Sequence, residues 1–183
     1  MSYPDEPRIP SPSGRGVVKE LYLIRHGIAA EPEQYSHDRD RPLTDEGKRK
    51  TRKVAARLSE LNLHFGLILT SPLLRARQTA EILIAAGLSS QLEESNDLAF
   101  DGDIQHWLTW FEEWQQKGST RLALVGHEPN LGNWAEILTW GEIRGSLVVK
   151  KAGIVGLTLP ETGSPVGRSQ LFWLASPKLL FLA

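Results

Sequence analysis

Leu21-Tyr22-Leu23-Ile24-Arg25-His26-Gly27 is a short apolar run that stops abruptly at a guanidinium, an imidazole and a glycine. Residues 17–24 are apolar apart from Lys19 and Glu20, too few for a membrane-spanning helix and enough for one strand buried on both faces. Strands of that kind belong to parallel sheets covered by helices, and such sheets bind their ligands outside the carboxyl ends of their strands. The run therefore predicts an α/β fold with Arg25 and His26 placed where ligands bind.

The same pattern recurs twice downstream. Residues 65–70, Phe-Gly-Leu-Ile-Leu-Thr, stop at Ser71-Pro72, and residues 121–125, Arg-Leu-Ala-Leu-Val, stop at Gly126-His127-Glu128-Pro129. Helical patterns fill the intervals. Thr44 is a good N-cap, Asp45 and Glu46 suit a positive helix start, and Val54, Leu58 and Leu61 keep helical spacing, which predicts a helix over residues 45–59. A second helix is expected over residues 73–86, ending near Gly87, with Arg75 in its first turn and Arg77 turned to solvent. A third starts near Gly102 or Asp103, and its Trp107, Trp110, Phe111 and Trp114 form a stripe that reads as core. A fourth opens at Pro129 or Asn130 and runs through Leu131, Trp134, Ala135 and Leu138 to Gly141. Residues 154–159 and 170–175 then read as an antiparallel hairpin at the sheet edge, joined by a Gly/Pro/Ser connector.

Other segments carry less chemistry. The cluster Lys48, Arg49, Lys50, Arg52 and Lys53 reads as the solvated face of its helix. The polar loop over residues 29–42 is expected to lie across the end of the first strand. The acidic stretch over residues 88–103 either lends a carboxylate to the pocket or caps the following helix, and the apolar tail at residues 179–182 packs on the body or between copies. Residues 1–16 hold Pro4, Pro7, Pro10 and Pro12 among polar residues, a composition expected to form a flexible leader ahead of a single domain at residues 17–183.

Composition excludes several classes. With 183 residues, 40% hydrophobic and 23% charged at a net charge of -1, the chain has a core but no basic field for nucleic acid. It has no cysteine, so disulfides, thiolate metal sites and a cysteine nucleophile are ruled out. The N-terminal stretch lacks the apolar core of a signal peptide, and the expected location is the cytoplasm, away from membranes. Neither a dinucleotide-type glycine fingerprint nor a phosphate-loop signature is present, so no cofactor is expected.

If the three strands are neighbours, their ends bring together Arg25 with His26, Ser71 with Arg75, and His127. Two guanidiniums and two imidazoles make a site for a dianion. The guanidiniums suit the non-bridging oxygens of a phosphoryl group, one imidazole can attack phosphorus, and the other adds a donor. A metal is not expected, because two histidines lack a third ligand and the arginines would repel the ion. Ser71 precedes a proline and lacks the elbow of a serine nucleophile.

Four ordered motifs carry a resemblance. Leu-Ile-Arg-His-Gly at 23–27, Arg-Pro-Leu-Thr-x-x-Gly at 41–47, Ser-Pro-x-x-Arg-Ala-x-Gln-Thr at 71–79 and Gly-His-x-Pro at 126–129 resemble the histidine phosphatase superfamily, which includes the cofactor-dependent phosphoglycerate mutases. Small size and the forms of the second and fourth motifs resemble the short SixA-type phosphohistidine phosphatases. The resemblance spans roughly residues 18–175. It implies a three-layer α/β/α sandwich whose central sheet is mostly parallel with an antiparallel edge. It also implies that His26 is the nucleophile that becomes phosphohistidine, and that Arg25, Arg75 and His127 complete the phosphate pocket. Arg41 and Thr44 would hold the loop over that pocket, where Arg41 could also graze the substrate, and Ser71 would position the second arginine turn.

Two departures stand out. Many relatives carry an acidic residue directly after Arg-His-Gly, where this chain has Ile28-Ala29. The general acid of mutase-like members is not matched cleanly by Glu94, Asp97 or Asp101, of which Asp97 is the expected acid. A protonated P–N linkage leaves without such an acid and an alkyl ester normally needs one, which favours phosphohistidine as substrate. The expected activity is metal-independent removal of phosphate from a histidine on a phosphotransfer protein. Two rivals are a broad phosphomonoesterase acting on small phosphate compounds and a non-catalytic phosphoprotein-binding module.

Overall fold

The computed structural model describes residues 19–115 and 120–181. The proposed leader, the first two residues of the opening strand and Leu182 of the apolar tail lie outside the described residues. Strand β1 spans Lys19–Arg25, and Leu21, Tyr22, Leu23 and Ile24 are all buried. Helix α1 (Asp45–Glu60), strand β2 (Leu67–Thr70), helix α2 (Leu74–Ala85), strand β3 (Leu92–Glu94), helix α3 (Ile104–Gln115) and strand β4 (Arg121–Gly126) follow in that order. Helix α4 (Asn130–Trp140), strands β5 (Ile154–Leu159) and β6 (Gln170–Ala175) and the short helix α5 (Pro177–Leu180) complete the order.

The six strands form one sheet in the order β3-β2-β4-β1-β5-β6. Strands β1, β4, β2 and β3 are mutually parallel, while β5 runs antiparallel to β1 and β6 antiparallel to β5. Side chains alternate across a strand, so each continuous apolar run feeds two cores. Leu21, Leu23, Leu69, Leu122 and Leu124 pack with Trp107, Phe111 and Trp114 of α3 and with Trp134 and Leu138 of α4. Tyr22, Ile24, Ile68, Ala123 and Val125 pack with Val54 and Leu58 of α1 and with Ala76, Ala80 and Leu83 of α2. The result is an α/β/α sandwich with a mixed, mostly parallel sheet, and the aromatic stripe of α3 is core. No helix among the described residues is long and apolar enough to cross a membrane.

Local signals set the helix ends. The Thr44 hydroxyl accepts from the Gly47 N–H at 2.9 Å to cap α1, and α4 stops at Gly141, whose φ of 83° is left-handed. Strand β3 was not foreseen. Its three residues are all exposed and include Glu93 and Glu94, so it has no apolar face to announce it, and its charges suit an unpaired sheet edge. At the C-terminus Leu180 is buried against the α1 and α2 side of the sheet, so that part of the tail packs in cis, while Leu179 and Phe181 stay exposed.

Candidate active site

Register brings the strand ends together. Arg25 is paired with Gly126 and Thr70 with Val125, so the next residues, His26, His127 and Ser71, emerge side by side from the centre of the sheet. The ladder continues one step further: His26 N–H donates to Gly126 O at 3.1 Å and Ser71 N–H to Val125 O at 2.9 Å.

The quoted motifs lock the turn that follows His26. Gly27 N–H donates to the Thr79 hydroxyl at 3.1 Å, and that hydroxyl donates to Arg75 O at 2.7 Å. The Gln78 carboxamide accepts from Leu43 N–H at 2.7 Å, and Thr44 N–H donates to Ile28 O at 2.9 Å. Gly47 packs so closely under this turn that a Cβ there would collide with the Ile28 carbonyl. Arg41 donates through Nε to Ala30 O at 2.8 Å and pairs with Asp38, which pins the overlying loop.

His26 is only 6% exposed and His127 is fully buried, with ring centroids 5.0 Å apart. Burial, then the neighbouring His127 and the two arginines, push the His26 pKa down to about 2 despite its bond to Gly27. Burial and the Arg75 charge likewise lower His127 to about 3. Both rings are neutral at pH 7. His26 Nδ1 lies 2.7 Å from Gly27 O; a carbonyl only accepts, so Nδ1 carries the proton and Nε2 keeps its lone pair. His127 Nε2 is 2.8 Å from the Ser71 hydroxyl, which accepts from Leu73 N–H at 3.3 Å; with the hydroxyl proton given to Nε2, the neutral ring carries its own proton on Nδ1. Ser71 therefore orients an imidazole as well as the turn that leads to Arg75.

The two guanidiniums flank the rings. Arg75 is 1% exposed; one Nη donates to Asp38 O and the other to the Asp38 carboxylate, each at 2.7 Å. Arg25 donates through Nη1 to Val149 O at 2.9 Å. Val149 is itself held, because its N–H donates to the Glu128 carboxylate at 2.6 Å. The loop before it is anchored by the buried Glu136, whose carboxylate accepts from the N–H groups of Arg144, Gly145, Ser146 and Leu147. Burial pushes Glu136 upward, but those four donors outweigh it and hold the carboxyl at about 2. Five buried side-chain polar atoms among the described residues lack a partner, and two of them, Arg25 Nε and His127 Nδ1, belong to this cluster. Unsatisfied donors on an arginine and an imidazole suit an anion.

Phe100 forms the wall. Its ring lies 4.5 Å from that of His127 and 5.2 Å from the Arg75 guanidinium, while 49% of the residue is exposed. The Asp97 carboxylate is engaged by its own neighbours. One oxygen is 2.7 Å from His106 Nδ1 and the other accepts from the Ser95 hydroxyl at 3.1 Å, and none of its described hydrogen bonds or ion pairs reaches the four residues. Arg77 pairs with Glu94 at the surface. Sequence reasoning missed Asp38, Phe100 and the bond from Ser71 to His127. The one available signal was Phe100, a lone aromatic in an acidic stretch. No group of three or more His, Cys, Asp or Glu side chains that could hold a metal occurs among the described residues.

A buried pair of neutral imidazoles between two guanidiniums, with one lone pair free, is equipped to bind a tetrahedral dianion and attack its centre. A family model described as "Histidine phosphatase superfamily (branch 1)" matches residues 21–129. An uncharacterized protein of Picosynechococcus is 49% identical over 162 residues, covering 88% of this chain and 98% of that protein. The phosphohistidine phosphatase SixA of Escherichia coli is 28% identical over 165 residues, covering 90% of this chain and 98% of its own length. A solved structure of the protein histidine phosphatase SixA complexed with tungstate aligns with a TM-score of 0.78 at 28% identity, covering 88% of this chain and 99% of that one.

Proposed function

The chain belongs to the histidine phosphatase superfamily, branch 1, and from that premise we propose that it is a metal-independent phosphatase that removes phosphate from phosphohistidine on proteins through a phosphorylated His26. One observation carries the mechanism: the Nδ1–H of His26 is committed to Gly27 O, which leaves Nε2 free to attack. In the first step the His26 Nε2–P bond forms as the P–N bond of the substrate breaks. A substrate ring protonated on its other nitrogen leaves as neutral imidazole and takes no proton from the enzyme. In the second step water attacks phosphorus, the Nε2–P bond breaks, and the proton lost by water stays with the phosphate. His26 departs neutral because Nδ1 has held its proton throughout.

Arg25, Arg75 and His127 stabilise the charge on the three equatorial oxygens in both steps. The placement of Asp97 supports a P–N substrate over an alkyl ester, because the expected acid is bound to Ser95 and His106. The exposed face of Phe100 offers the leaving imidazole a ring to stack on. The tungstate bound by the SixA relative is a tetrahedral oxyanion, the shape this pocket would accept.

The test compares hydrolysis of a phosphohistidine peptide with that of a panel of alkyl phosphates, with and without chelator, and traps the intermediate from radiolabelled substrate. Rapid P–N hydrolysis that is indifferent to chelator, with acid-labile label lost in His26→Ala, is expected. A phosphoenzyme that persists in His26→Ala would sink the mechanism, and preference for alkyl esters would sink the substrate assignment.

A further inference from the structure

A groove of about 600 Å³ opens beside the strand end that carries His26. Its lining includes Arg25, Lys50, Lys150, Lys151 and Lys178, and no carboxylate. This concentration of positive charge is local, because the whole chain carries a net charge of -1. Lys50 pairs with Glu46 at 2.7 Å. Lys150, Lys151 and Lys178 are exposed and form no ion pair with a carboxylate among the described residues. Between the cations the lining is mostly apolar, from Ile28, Pro177 and Phe181, with Ser176 beside them.

The lysine turn is rigidly tied to the nucleophile. Ala152, next to Lys151, is buried at a left-handed φ of 57°, and its N–H donates to both Arg25 O and His26 O at 3.1 Å. Gly153 closes the turn by donating to Lys150 O at 2.6 Å while accepting from Arg25 N–H at 3.1 Å. A non-glycine residue held at positive φ is a strained conformation that persists only where surrounding bonds impose it. Lys150 and Lys151 thus keep a set position relative to the His26 backbone.

Resting on the phosphohistidine reading above, we propose that this groove docks the acidic segment of a phosphoprotein that flanks its phosphohistidine. Carboxylates of the segment meet Lys150, Lys151 and Lys178, and its apolar side chains meet Ile28, Pro177 and Phe181. The volume far exceeds what a phosphoryl group fills. Its apolar lining suits a polypeptide better than a free polyanion, and a concave surface suits a polypeptide better than a flat lipid face. Charges at the rim of a site act mainly on encounter and on KM, and salt screens them.

The test uses three substrates: two phosphohistidine peptides of equal length that differ only in flanking Glu or Gln residues, and phosphoimidazole. The Glu peptide is expected to show a kcat/KM about tenfold higher at low salt, through KM, with the advantage vanishing at about 0.5 M salt. The combined variant Lys150→Glu, Lys151→Glu, Lys178→Glu should erase or invert that preference, while phosphoimidazole turnover, which also reports folding, stays within about twofold. Equal kcat/KM for the two peptides, a preference that survives the charge reversal, or a parallel loss with phosphoimidazole overturns the docking assignment. So does binding to anionic phosphatidylserine vesicles that the variant loses while the peptides remain indistinguishable. Failure of the unaltered enzyme to hydrolyse phosphoimidazole or either peptide overturns the phosphohistidine reading and the docking inference with it, which separates that outcome from failure of docking alone.

Discussion

Burying two imidazoles in neutral form ties the stability of the fold to pH in a window where few other groups titrate. His26 is held down to about 2 and His127 to about 3, against an ordinary value of 6.5 that both regain on unfolding. Between those limits the unfolded chain binds protons that the folded one refuses. Stability is therefore full above pH 6.5 and falls as the pH drops towards the folded values, by about 1.4 kcal/mol per pH unit for each ring. From about pH 7.5 to about pH 5 the loss is about 2 kcal/mol per ring and about 4 kcal/mol for the pair, a large share of the 5–15 kcal/mol typical of a domain. Glu128, raised by burial, works in the opposite direction, so the test is a difference. Urea unfolding of the parent and of a His26→Asn, His127→Gln variant at the two pH values isolates the contribution of the rings. These amides keep a matching polar atom near each ring nitrogen that bonds the protein, a donor for His26 Nδ1 and an acceptor for His127 Nε2, and they do not titrate. The parent should lose about 4 kcal/mol more than the variant on acidification. Equal losses would show that the rings are not held neutral, and the account of His26 as an attacking lone pair would fall with that result.

Four further outcomes are expected. Ser71→Ala leaves His127 Nε2 without its partner and should lower stability by about 1–3 kcal/mol in denaturant titrations while slowing phosphoenzyme formation in rapid quench; an unchanged burst rate would free His127 from dependence on Ser71. Phe100→Ala should reduce kcat/KM for phosphoimidazole about threefold to tenfold and spare alkyl phosphates, and equal effects on both would remove the ring from leaving-group recognition. Asp97→Asn should leave steady-state turnover within about twofold, because its carboxylate is engaged by Ser95 and His106, and a large fall would return that carboxyl to the reaction. Gly47→Ala should cost about 1–3 kcal/mol by urea unfolding, since the new methyl would meet the Ile28 carbonyl, and a neutral substitution would refute that packing.

Much of the fold was legible because burial on both faces writes itself into sequence as unbroken apolar runs. Residues 21–24, 67–69 and 122–125 are such runs, and just beyond each the register sets His26, Ser71 and His127 beside one another. Edge strand β3 has no buried face and left no such mark. The long aromatic stripe on α3 was legible as core for the same reason that β3 was not. Within the site, residues at strand ends could be named in advance, because topology alone brings them together. Asp38 could not, since one carboxylate among many in an exposed loop looks like every other until the chain folds it onto Arg75. Asp97 is ambiguous for the mirror reason: an acidic residue near the right segment has several partners open to it, and here His106 and Ser95 hold it.

The contact between Asp38 and Arg75 also bears on how the cycle ends. A guanidinium whose two Nη groups are already taken by Asp38, one by its backbone carbonyl and one by its carboxylate, is never a bare charge waiting for an anion. Inorganic phosphate arriving from solution must compete with a ligand that the chain supplies at no entropic disadvantage, and departing product leaves behind a cation already neutralised. Turnover in a phosphate-rich medium then resembles ion exchange on a resin pre-loaded with its own counter-ion, which keeps the pocket from being choked by the product it makes.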